Sequence, residues 1–212
     1  MSVSLTSIAH ALRVQSQANA TPIILGHAQQ LIAAALGYNT LAAYQASLEE
    51  SALECARHFV LDLDLVHQRA HELGVIVSAE QLGALLRSTF AGQLPQARFH
   101  RSESALEDYI RDRLDHLVTN DAEAASQMAM TNGDGIGEVF LPFDLSLANV
   151  PPPGEAIEIE VLGHIGMDQD LERPYSGHII DIEASVSVER TGRVSIAEPD
   201  ITVIEAKLNY DW

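Results

Sequence analysis

Between Glu155 and Leu208 apolar and acidic residues alternate. Ile157, Ile159 and Val161 interleave with Glu158 and Glu160; Ile180, Ile182, Ala184, Val186 and Val188 interleave with Asp181, Glu183 and Glu189. Successive residues of a strand point to opposite faces. The alternation therefore predicts strands over residues 156–165, 178–189 and 193–207, with Arg190-Thr191-Gly192 as a hairpin turn and Pro199 interrupting the last strand. One face of such an antiparallel sheet is apolar and needs a cover; the other faces water. Acidic residues two apart stand roughly 6.5–7 Å from one another, twice the strand rise, so the open face carries a rigid array of carboxylates.

The first 130 residues follow a different period. Leu5, Ile8 and Leu12 recur at helical spacing behind Ser4 or Thr6, and Asn19 to Pro22 breaks that pattern. Ala28, Leu31, Ile32, Ala35 and Leu36 form the stripe of a second helix that Gly37 terminates, and Thr40 caps a short third one. The longest helical pattern runs from Glu49 to Leu73 and takes in Cys55, which predicts a buried thiol. Ser78 with Gln81, and Ser104 with Glu107, read as capping boxes of further helices, and residues 121–130 as the last. Gly133, Gly135 and Gly137 read as a flexible junction, and Pro151 to Pro153 as a stiff connector. The expected architecture is α+β, with a helical region at 1–130, a junction and Pro-rich connector at 131–155, and an antiparallel β region at 156–212, the helices packing on the apolar face of the sheet.

Charge sharpens this picture. The 212 residues hold 12 Lys and Arg against 30 Asp and Glu, a net charge of −18. Residues 1–130 carry 8 arginines and 14 acids, whereas residues 131–212 carry 4 cations and 16 acids, so the excess is concentrated in the β region. Lys207 is the single lysine. Such a balance disfavours direct contact with nucleic acid or an anionic membrane and suits a basic partner. Val14 to Ala56 contains no Lys or Arg, so the helix–turn–helix reading of the second and third helices fails for want of phosphate contacts. The chain shows neither a basic leader followed by a long apolar run nor a segment of membrane-spanning length, and a cytoplasmic location is expected.

Candidate chemistry is sparse. His67 and His71 share one helix face with Asp64 a turn earlier, an incomplete metal edge without a further ligand. Asn132 to Gly135 looks like the middle of a calcium loop, but alignment on Gly135 puts Met130 and Leu141 where acidic ligands belong. His164, His178 and Glu205 offer a second set of generic ligands on the sheet. Arg98, His100, Arg101, Arg111 and Arg113 are interspersed with Glu103, Glu107, Asp108, Asp112 and Asp115, which predicts local pairing along a helix. No nucleophile elbow is present, and no cofactor is expected.

His27, Ala28, Gln29, Leu31, Ala33, Leu36, Gly37, Tyr38, Thr40 and Ala43 together resemble a short helical module of accessory proteins from bacterial plasmids and integrative elements, and of extensions on some glyoxalase-like proteins. The resemblance covers about a tenth of the chain and carries over no catalytic residue. It implies a mobile-element origin and an anti-defence role of the anti-CRISPR kind. The leading expectation is a non-enzymatic inhibitor that binds a basic nucleic-acid-binding complex, such as a CRISPR effector or restriction nuclease, through Glu158, Glu160, Asp181, Glu183, Glu189 and Glu205. The alternatives are a metal-dependent enzyme or small-ligand binder using histidines and carboxylates, either the His67 and His71 pair or, in a glyoxalase-like arrangement, His164, His178 and Glu205, and a plasmid maintenance or assembly protein.

Overall fold

The computed structural model describes residues 3–18, 22–47, 53–131, 133–169 and 178–209. Asn19 to Thr21 of the predicted break, Glu49 to Ala52 of the long helical pattern, and Asn132 lie outside them. The chain is α+β, and its contacts divide it into two units. The first takes residues 1–102, 151–155 and 189–198; the second takes 103–150, 156–188 and 199–212.

In the first unit α1 (Leu5–Gln15) buries Leu5, Ile8, Ala9 and Leu12, one stripe at helical spacing. Ser4 caps it: its hydroxyl accepts from the Ser7 amide while the Ser7 hydroxyl accepts from the Ser4 amide. Helix α2 (Leu25–Ala35) buries four alanines, whose small side chains suit close approach to α1 and α4. Gly37 ends it with φ +82°, a left-handed conformation that glycine adopts without strain. Thr40 caps α3 (Leu41–Ala46), Asp62 caps α4 (Leu63–Glu72), and Ser78 caps α5 (Ala79–Gln93). These helices surround a small sheet. In it β1 (His58–Val60) pairs in parallel with β2 (Arg98–His100) and antiparallel with β6 (Ser195–Ile196). Phe59 of β1 and Phe99 of β2 stack on each other at 5.2 Å, and Phe90 of α5 meets both at tilted angles, 6.3 and 5.9 Å away.

In the second unit α6 (Glu103–Thr119) and α7 (Ala122–Met130), the latter capped by Asp121, lie against β7 (Asp200–Asn209). The sheet runs β3 (Gly133–Phe140), β4 (Ala156–Gln169), β5 (Ile179–Gly192), β7, with β3–β4 and β5–β7 antiparallel. Strand β5 starts here, and its last residues, from Glu189, belong to the first unit, where it forms a hairpin with β6. The inward residues are those the alternation marks: Val161 and Ile165 on β4, Ile180, Ile182, Ala184, Val186 and Val188 on β5, and Ala206 and Leu208 on β7 are all buried. Full burial of each large aliphatic among them contributes roughly 1.5–3 kcal/mol.

Five expectations need correction. The Glu49–Leu73 pattern is not one helix. Backbone bonds from Arg57 to Ile196, Val60 to Val194 and Arg98 to Arg57 hold residues 57–60 in a sheet, and Asp62 starts the helix afresh. With the helix gone there, Cys55 is exposed. The glycines from 133 to 137 form a strand, β3, and not a loose junction. A Cβ on Gly133 would come within 2.5 Å of the Met167 side chain, and one on Gly137 within 2.6 Å of Asp168, so glycine permits the close β3–β4 approach. The hairpin turn after β5 sits at Arg193 and Val194, two residues later than predicted, because Arg190 and Gly192 pair with β6. Ser104 lies inside α6, which begins at Glu103.

Candidate protein-binding face

The alternation that buries one set of β4, β5 and β7 residues presents the other set to solvent. Glu158, Glu160, Asp181 and Glu205 are exposed, and Glu183 is half-buried. Glu189, also exposed, is on the part of β5 that belongs to the first unit. The β5–β7 register places Asp181 opposite Lys207 and Glu183 opposite Glu205. The first pair is favourable. The second sets two carboxylates directly across from each other, an arrangement that costs stability. After Glu183↔Glu205 the register moves to Ala184↔Val203, so Ile204 is the extra residue of a bulge, and it stands outside with 52% of its surface exposed. Leu162 and Gly163 of β4 meet Asp181, Ile182, Glu183, Glu205 and Lys207 around one shallow cleft of about 330 Å³.

Two serines fix the far end of the array. The Ser185 hydroxyl donates to Glu158 Oε2 at 2.7 Å. Hydrogen bonds from Ser185 and then Ser187 hold the Glu158 carboxyl below its ordinary pKa. Toward β3, His164 lies 3.5 Å from Glu138 and packs its ring against Phe140 at 5.5 Å. Leu162 (58% exposed) and Phe140 (56%) are the large apolar side chains that this face leaves open alongside Ile204. The face is thus anionic with apolar islands. It can attract cations and bury aliphatic or aromatic groups.

The metal readings gain no geometry. Among the described residues no group of three His, Cys, Asp or Glu side chains is gathered closely enough to hold an ion. His67 turns its Nε2 to the Ala79 carbonyl at 3.2 Å. His164 makes the Glu138 contact, and the His178 carbonyl accepts from the Met167 amide at 2.7 Å as β4 and β5 meet.

The predicted local pairing of the basic cluster holds for Arg111, which bridges Glu107 and Asp108, and fails for Arg98 and His100. Arg98 reaches Glu198 at 3.8 Å, and His100 Nε2 lies 3.0 Å from His58 Nδ1. The other nitrogen of His58 contacts Glu198 Oε2 at 3.3 Å. An ionised Glu198 only accepts, so His58 donates through Nε2 and must accept at Nδ1 from the His100 Nε2–H. His58 is fully buried, and burial above all, with His100 and Arg98 against the opposing pull of Glu198, lowers its pKa to about 4. Sequence reading missed this His100–His58–Glu198 chain, whose middle member alone is fully buried. Its only trace is a pair of three-residue segments, His58-Phe59-Val60 and Arg98-Phe99-His100, too short for alternation to register.

Among the described residues no helix is long and apolar enough to cross a membrane. No family model, no curated protein and no solved structure matches the chain.

Proposed function

We propose that the chain is a protein-binding module whose acidic sheet face captures a basic, nucleic-acid-binding partner and excludes nucleic acid from it. The observation that carries this reading is the Glu183–Glu205 pair, set face to face in the β5–β7 register beside Asp181 and a single lysine. A sheet that accepts repulsion between opposed carboxylates gives up stability, and a cation from a partner relieves it. Field complementarity of this kind speeds encounter and selects partners, and the grooves of nucleic-acid-binding proteins are lined with the Lys and Arg it needs. An inhibitor carried by a mobile element and aimed at a CRISPR effector or restriction nuclease is the biological form of the proposal.

The test has two stages. The tagged protein is used to capture partners from a bacterial lysate at low salt, and each captured protein is then loaded with labelled nucleic acid and titrated with the purified chain. Release of the nucleic acid by the wild type, and its loss when Glu158, Glu160, Asp181 and Glu183 are changed to Lys, is expected. Release that persists undiminished in the charge-reversed variant would refute the assignment of the face.

A further inference from the structure

Resting on the reading above, we infer that the segment this face takes from its partner is amphipathic, an apolar side chain set between cations, with Leu162 as its anchor. A purely cationic ligand has no use for the apolar part of the face. Leu162 keeps 58% of its surface open, and the same cleft brings it together with three carboxylates and one ammonium group. A singly exposed aliphatic is ordinary on a protein surface; Leu162 differs in lining one cleft with Asp181, Glu183, Glu205 and Lys207. The cleft of about 330 Å³ is at the small end of ligand sites, enough for one or two side chains and not for a folded surface.

The chemistry of the occupant follows by elimination. A wholly apolar segment would cover the opposed Glu183 and Glu205 carboxylates without supplying a cation, and a buried charge without a partner is costly to desolvate. A second copy of this chain would bring the same carboxylates against themselves, at a net charge of −18 on each. Nucleic acid is repelled for the same reason. A segment with an aliphatic residue over Leu162 and Arg or Lys on both sides satisfies every group: the cations meet Asp181 and the Glu183–Glu205 pair, and the apolar contact sits between them, where it excludes water. Complementary charge supplies the encounter, and the apolar anchor supplies selectivity among basic proteins.

Two synthetic peptides test this. In one, a central leucine is flanked by three arginines on each side; in the other, serine replaces the leucine. Both are titrated calorimetrically into the wild type, Leu162→Ser and the double variant Glu183→Gln/Glu205→Gln, at about 50 and 150 mM salt, a range over which screening changes measurably. Leu162 is surface-exposed, and circular dichroism checks that the variant keeps its fold. The wild type is expected to bind the leucine peptide about fivefold more tightly or better, the scale of a partly buried leucine side chain. Leu162→Ser should bind both peptides as the wild type binds the serine peptide, and the double variant should bind both more weakly. Equal affinity for the two peptides, or a leucine advantage that survives in Leu162→Ser, overturns the inference and leaves charge capture standing. Failure of both peptides to bind at either salt, or binding indifferent to the double variant, overturns charge capture and the inference together.

Discussion

Acidification is expected to loosen the first unit through one residue, His58. In the folded chain its Nε2 is committed to Glu198 and its Nδ1 to the His100 N–H, with no part of the ring reaching solvent. A proton arriving at Nδ1 would turn that acceptor into a second donor facing the His100 donor, and would place a charge in a buried site. Burial first, then the neighbouring His100 and Arg98, keep the folded-state pKa at about 4, below the ordinary histidine value of 6.5. The sign follows from linkage. Between about pH 6.5 and pH 4 the unfolded chain binds this proton and the folded chain does not, so stability falls as pH falls and levels off below about pH 4. At roughly 1.4 kcal/mol per pH unit, the loss is about 2 kcal/mol by pH 5 and about 3 kcal/mol when complete. Urea unfolding of the wild type and His58→Gln at several pH values between about 7.5 and 4 isolates the contribution, because the carboxylates titrate alike in both. The wild type should lose about 2 kcal/mol more than the variant between pH 7 and pH 5. Parallel pH profiles for the two proteins would refute the argument that His58 is held neutral.

Glu205→Lys replaces a repulsion across the β5–β7 pair by an attraction and should stabilise the fold by about 0.5–1 kcal/mol, raising Tm by a few degrees at most, while weakening partner binding; a thermal melt and a binding titration on one sample check both directions. Gly163→Ala puts a Cβ into the Phe140 carbonyl oxygen and 3.0 Å from the Leu141 side chain, so β3 must shift; a cost of about 1–3 kcal/mol in urea unfolding is expected. Asp115 Oδ1 is buried and has no hydrogen-bond partner among the described residues, and burial, with Asp112 adding to it, raises its pKa. The ionised form is the one that the fold disfavours, so Asp115→Asn should raise the urea midpoint at neutral pH, and the gain should shrink as the pH falls toward the carboxylate range.

How much of this was legible in the sequence depends on segment length and on which contacts are local. The sheet of the second unit was legible because Ile180 to Val188 alternate over nine residues with one side buried, and a register error of one would invert every side chain. The caps at Thr40 and Ser78, and Ser4 as one of two candidates, were legible because capping is a contact within three residues. Strands β1 and β2 were not. Three residues carry no period, and their backbone partners lie 40 and about 137 residues away in the chain. The same distance hid the His58–His100–Glu198 relay. On the acidic face, the sequence marked the carboxylates but not the Ile204 bulge, which is visible only as a shift of register, nor the gathering of Leu162 with Asp181, Glu183 and Glu205 in one cleft.

Carboxylate footprinting tests the central claim most directly. The protein is labelled with a carbodiimide and an amine, alone and in complex with a captured basic partner, and each modified residue is quantified by mass spectrometry. The account predicts that Glu158, Glu160, Asp181 and Glu205 lose reactivity in the complex while Glu80 and Glu123, exposed on α5 and α7, keep theirs. Protection of the helical carboxylates with the sheet face unchanged would contradict it.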